Sequence, residues 1–174
     1  YTVVGAMYWF GAKTVAGVSP GNLRMRTYRI DGTAGISSAG STTACPGTVV
    51  ADDVVGIATI DTANIHIHNF SVPSRFDVMV SGQYPFGVGF DVTGLNVAGG
   101  DTIGLVSTTD GNTDPIFPES SWEQWAAPGN EWYSIPWAWS GNPLGTDPLD
   151  IELAIFPIAF NTASIDETPF LDGV

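Results

Sequence analysis

The sequence predicts an all-β chain: an antiparallel β-sandwich of jelly-roll type that carries one long aromatic loop. Three features point to it. Short segments of alternating apolar and polar residues recur along the chain, separated by Gly, Pro, Asn and Asp turns. No stretch shows a helical period flanked by caps. A length of 174 residues accommodates eight strands in two sheets.

The elements follow in chain order. Residues 1–13 open on Val3-Val4-Gly5-Ala6-Met7-Tyr8-Trp9-Phe10, apolar on both alternating faces, which predicts a strand buried on two sides. Pro20-Gly21 turns the chain. Leu23 to Ile30 is a second strand, with Leu23, Met25 and Thr27 on one face and Arg24, Arg26 and Tyr28 on the other. Thr33 to Thr48, rich in Gly, Ser and Thr, is expected as a loop. Val49 to Ile60, Ile65 to Val72, Arg75 to Val80, Phe86 to Val92 and Thr102 to Ser107 supply further strands. Leu149 to Ile158 is the last. Between them, Phe117 to Trp139 holds five of the six tryptophans, broken by Pro118, Pro128 and Pro136, and reads as an irregular excursion. Residues 1–160 are expected to form the sandwich domain, and 161–174, polar and acidic, a C-terminal linker.

Composition narrows the function. Hydrophobic content of 44% is enough for a core. Charge is sparse and one-sided, 18 acids against 5 bases for a net −13, so duplex DNA and anionic membranes would be repelled. The single Cys45 can form no internal disulfide. No apolar run approaches the ~18–20 residues that span a bilayer, so membrane insertion is not expected. The chain does not open on a basic-then-apolar leader, and any export signal is expected to have been removed or to lie outside this sequence.

Met7-Tyr8-Trp9-Phe10-Gly11-Ala12-Lys13, Gly100-Asp101-Thr102-Ile103-Gly104-Leu105, Trp122-Glu123-Gln124-Trp125 and Leu149 through Ile158 together resemble segments of secreted Bacteroidetes proteins exported by the type IX secretion system. The tail from Ile165 to Val174 resembles the linker before the sorting domain of such proteins, although the sorting domain itself is not in this sequence. The resemblance implies a β-sandwich module at the cell surface or outside the cell. It transfers no catalytic residue.

Five groups of residues are candidates for chemistry. Trp122, Glu123, Trp125, Trp132, Tyr133 and Trp137 suit a carbohydrate platform, because the apolar C–H faces of sugars stack on aromatic rings while acids hold the hydroxyls; the same rings equally suit a core plug. His66 and His68, two apart on a strand, share a face and would hold a metal if Asp77 or Asp91 joined them; otherwise they are polar residues on a solvent face. Asp110, Asn112 and Asp114 resemble the start of a calcium loop, but Pro115 and Ser121 break the pattern, and an Asx-rich turn is the plainer reading. Calcium is therefore the one cofactor considered. Glu119, Glu123 and Glu131 would have to supply a carboxylate pair for glycoside hydrolysis. Arg24 and Arg26 would clamp an anion or, more simply, pair with acids on neighbouring strands.

The function expected from these features is an extracellular, non-catalytic structural or adhesive module whose partners are other surface proteins, further copies of the chain, or polysaccharide. A carbohydrate-binding module using Trp122 to Trp139 is the alternative, and a glycan-active enzyme the third reading.

Overall fold

In a computed structural model the protein is described over residues 1–38, 41–76, 86–108, 121–126, 129–138, 151 and 153–160. Within them the chain is all-β, in several antiparallel sheets not closed into a barrel, as a β-sandwich requires. The opening apolar run splits at Trp9 into β1 (Thr2–Tyr8) and β2 (Phe10–Thr14). Only one of its faces is core. Val3, Ala6 and Tyr8 are fully buried, whereas Met7 is half-buried and Trp9 is 48% exposed. Burial on both sides is thus corrected: a bulge between Val3 and Gly5 and the break at Trp9 set two different environments along one run.

β3 (Asn22–Arg29) buries Leu23, Met25 and Thr27, as its alternation predicts. It lies centrally between β6 (Val49–Gly56) and β8 (Phe86–Asp91). The stretch 33–48 is not a loop. It forms a hairpin of β4 (Gly32–Ser38) and β5 (Ser41–Cys45), because Thr and Ser suit a pleated strand once backbone pairing is available. β1 is flanked by β7 (His66–Arg75) and by β12 (Ile155–Phe160). β12 starts later than the apolar alternation from Ile151 suggests; Leu153 makes only an isolated bridge to Ser107. β9 (Thr102–Leu105) pairs with β2. The aromatic excursion contains β10 (Trp122–Trp125), β11 (Glu131–Ser134) and a helical turn, α1 (Ile135–Ala138). The expected loop is therefore in part a hairpin, and it joins β4 through a parallel contact at Tyr133 and Ile36. Residues 161–174, the expected linker, lie outside the described residues.

The core is aromatic. Tyr8 stacks on Phe10 with ring centroids 5.7 Å apart, and Phe90 stands edge-on to both, at 6.0 and 5.2 Å. Tyr8 donates its hydroxyl to the Gly89 carbonyl at 3.0 Å, which satisfies the one polar atom of a fully buried ring. At the end of the β2–β9 ribbon, Asp101 is 1% exposed. Its carboxylate accepts the backbone N–H of Ala16 and Gly21, each at 2.6 Å, and of Asn96 at 2.8 Å. These donors hold its pKa below the ordinary range, against the burial that would raise it.

Asp101→Asn replaces a charged acceptor with an amide whose NH2 faces backbone N–H groups. A fall in melting temperature on the order of 5 °C is expected, larger than for Asp61→Asn in an exposed turn. Thermal unfolding followed by circular dichroism checks it; equal melting temperatures would remove Asp101 as an anchor.

Candidate functional site

The β10–β11 hairpin sorts its side chains by strand parity. Cross-strand pairs are Trp122 with Ser134, Glu123 with Tyr133, Gln124 with Trp132, and Trp125 with Glu131. One face therefore carries Trp122, Gln124, Trp132 and Ser134, and the other Glu123, Trp125, Glu131 and Tyr133.

The first face packs on the body. Trp132 meets Tyr28 of β3 edge-on at 5.5 Å. The Trp122 ring lies over Gly35, where a Cβ would come within 2.8 Å of it and within 2.5 Å of the Cβ of Cys45, so β4 needs glycine there. Ser134 is fully buried. Gln124 donates from Nε2 to the Asn130 carbonyl at 2.8 Å and closes the turn, where Asn130 takes the left-handed conformation with φ of 60°.

On the second face, Trp125 and Tyr133 form a tilted ring pair, with centroids 4.6 Å apart and planes 30° apart, and Trp125 is 37% exposed. Tyr133 donates its hydroxyl to Glu131 Oε2 at 2.6 Å, and that bond raises the phenol pKa. Glu123 faces Tyr133 across the ladder, with Oε1 buried and lacking a donor. Of the six residues singled out as a platform, the structure thus brings together Glu123, Trp125 and Tyr133, adds Glu131, and turns Trp122 and Trp132 inward. Trp137 lies in α1. Trp139 and Glu119 lie outside the described residues, as do Asp110, Asn112, Asp114 and Asp77.

His66 and His68 share a face of β7, as the two-residue period requires, but it is not the solvent face. They lie opposite Tyr8 and Ala6, the buried residues of β1. The sequence misleads here because Ile65 and Ile67, not the histidines, point outward. His68 Nε2 lies 3.0 Å from Asp53 Oδ2 of β6, and Asp53 also accepts from the Ser71 amide at 2.8 Å and from the Ser71 hydroxyl. Burial pushes the Asp53 pKa up, but the Ser71 donors and His68 outweigh it, and the net shift is downward. His66 accepts the Asp61 amide at Nδ1, 3.3 Å away, so its proton sits on Nε2, which is buried without a partner. Burial first, then the neighbouring His68, lowers the His66 pKa. Among the described residues no group of three His, Cys, Asp or Glu side chains is arranged to hold a metal. Asp91 is instead 2.7 Å from Arg26, which also meets Asp52 at 3.1 Å, and Arg24 is paired with Asp52 as well. Held first by the Arg24 hydrogen bond, Asp52 has a pKa of about 2. The two arginines are thus paired across strands, as the simpler reading expects. Cys45 is buried, which pushes its thiol pKa up and leaves it a poor nucleophile.

No family model matches the chain, and no curated protein or solved structure matches it. The candidate site rests on its own geometry.

The His66 shift sets a pH dependence. A base whose folded pKa is depressed binds fewer protons when folded, so its contribution to stability is complete above the unfolded value near ~6.5 and is lost as pH falls from there to the folded value. The depressed pKa values of Asp52 and Asp101 act lower, below ~4. Melting temperature is therefore expected to fall between pH 7 and pH 5 in the native chain, and to fall less in His66→Gln. Identical slopes for the two proteins would exclude His66 as the titrating group.

Proposed function

We propose that the chain is an extracellular, non-catalytic adhesive module that binds glycan on the outer face of the β10–β11 hairpin. The observation that carries this reading is the Trp125–Tyr133 pair, at 4.6 Å and 30°, beside Glu123 and Glu131 and on the face turned away from the body. At that separation Tyr133 backs the Trp125 indole, and the exposed part of that indole offers an apolar surface on which a sugar ring can stack. The flanking carboxylates accept hydroxyl hydrogens. The rings that fix the hairpin to the body, Trp122 and Trp132, are different ones, so ligand and core do not compete for the same indoles. The resemblance of four segments to secreted Bacteroidetes proteins of the type IX system supports a location outside the cell, and the low charge and high glycine content suit such a module. A catalytic reading has less behind it: Glu131 is tied to Tyr133, and Glu123 has a walled-in oxygen.

A second reading, contact with another protein surface, is favoured by the outer face of β12–β1–β7. There Ile67, Met7 and Phe156 form one row across the three strands, with Trp9, Ile65 and Ile158 beside it. Ile67 is 59% and Phe156 48% exposed, where an outer sheet face is ordinarily polar. Pro73 and Pro157 on the two flanking strands oppose strand addition at the edges, which leaves the face itself for contact. Three strands over four residues present about 200 Å² of sheet, well short of the ~800 Å² per partner of a stable complex. Such a contact suits weak, repeated adhesion and not a permanent dimer.

Tryptophan fluorescence titrated with soluble polysaccharides tests the first reading. A saturable change is expected, weakened at least tenfold by Trp125→Ala and by Tyr133→Ala, and reduced less by Ile67→Lys. A panel that leaves the emission unchanged would overturn it. For the second reading, Ile67→Lys is expected to abolish any self-association seen by sedimentation at millimolar concentration; association untouched by that change would remove the β1 face as its origin.

A further inference from the structure

We infer that the β10–β11 face selects glycans that bring hydrogen-bond donors and no negative charge, refusing uronate and sulfate sugars; the inference rests on the glycan reading above. It follows from where every base of the chain lies. The sequence has five Lys and Arg residues in all. Lys13 is on β2, with its ammonium on the carbonyls of Ala58 and Ile60. Arg24 and Arg26 of β3 are engaged by Asp52 and Asp91. Arg29, also on β3, stands 5.7 Å over the Phe76 ring, and Arg75 is on β7 opposite Thr2. None lies on the sheet β10–β11–β4–β5. No segment elsewhere in the chain holds a sixth base that might serve the hairpin.

The face itself carries two carboxylates. Glu131 is held in place by the Tyr133 hydroxyl, whose hydrogen is thereby spent on the protein and not on a ligand. Glu123 keeps one buried oxygen without a donor, so this carboxylate retains an unmet demand for a hydrogen-bond donor. A ligand carboxylate or sulfate would instead meet two like charges with no cation between. Each such approach at ~4 Å near a surface weakens binding on the order of tenfold or more. A neutral glycan supplies hydroxyl donors, and an amino glycan adds a cation that both carboxylates and the aromatic faces attract.

The test is isothermal titration of the whole chain, at 0.15 M salt, with four probes: laminarin (neutral), chitosan oligosaccharide (cationic), alginate (carboxylate) and heparin (sulfate). Laminarin, chitosan or both are expected to bind at least tenfold more tightly than alginate and heparin. Chitosan binding that weakens steeply with salt would assign the donor to the amino group, and salt-independent laminarin binding would assign it to hydroxyls. The Glu123→Gln/Glu131→Gln double variant, first shown to melt as the native chain does, is expected to narrow the gap to about threefold or less. Alginate or heparin binding as tightly as laminarin and chitosan would overturn the selectivity while leaving glycan binding intact. A gap unchanged in the double variant would overturn its assignment to this face. Failure of all four probes to bind would overturn the glycan reading itself.

Discussion

The sandwich depends on one buried carboxylate. Asp101 gathers three backbone amides from separate places: Ala16 just after β2, Gly21 just before β3, and Asn96 ahead of β9. Each is an irregular connection whose N–H has no strand partner, and a buried orphan N–H is costly. A single Asp satisfies all three at once. It also brings the loops close enough for Asn22 to donate to the Gly94 carbonyl at 2.9 Å. Gly21 is needed for the same approach, since a Cβ there would lie 2.4 Å from the Gly94 oxygen. With this knot in place, β3 is held beside β8 on one side, and β2 is held against β9 on the other.

From that knot the core extends by ring contacts. Phe10 of β2 reaches Phe90 of β8, and Tyr8 of β1 reaches both. The Tyr8 phenol is pushed far up in pKa, by burial above all, so it remains a neutral donor to Gly89 over any ordinary pH. A buried polar pair, Thr27 with Ser74 at 2.8 Å, links the sheet of β3 to the sheet of β7, and Thr27 also accepts from the Ala51 amide. Both bonds of Thr27 cross a strand or sheet boundary, so they fix register as well as stability.

Much of this was legible from pattern. The alternation of Leu23, Met25 and Thr27 marked the inner face of β3, and the spacing of turns marked an all-β chain. Three things were not. The Ser/Thr hairpin of β4 and β5 has no apolar stripe; it exists because pairing partners exist, and partners are not visible in a local window. The inward turn of His66 and His68 reverses the hydrophobic rule, because Ile65 and Ile67 take the outer face of β7. The threefold use of Asp101 joins residues 80 and 85 positions apart, beyond any short motif.

The aromatic stretch shows the limit most clearly. The stretch reads either as a core plug or as a ligand platform. Strand geometry leaves room for both. Trp122 and Trp125 are three apart, which would place them together on a helix but sets them on opposite faces of a strand. Trp132 and Tyr133 are adjacent, and so must also part. One indole of each strand therefore anchors the hairpin, Trp122 over Gly35 and Trp132 against Tyr28, while Trp125 and Tyr133 face outward with the glutamates. A ring pair held in place by anchoring rings would lose less conformational freedom on binding than a mobile loop. Core and proposed binding surface are thus the two sides of a single hairpin, and substitutions on its inner face are expected to act on binding only through the position of the outer one.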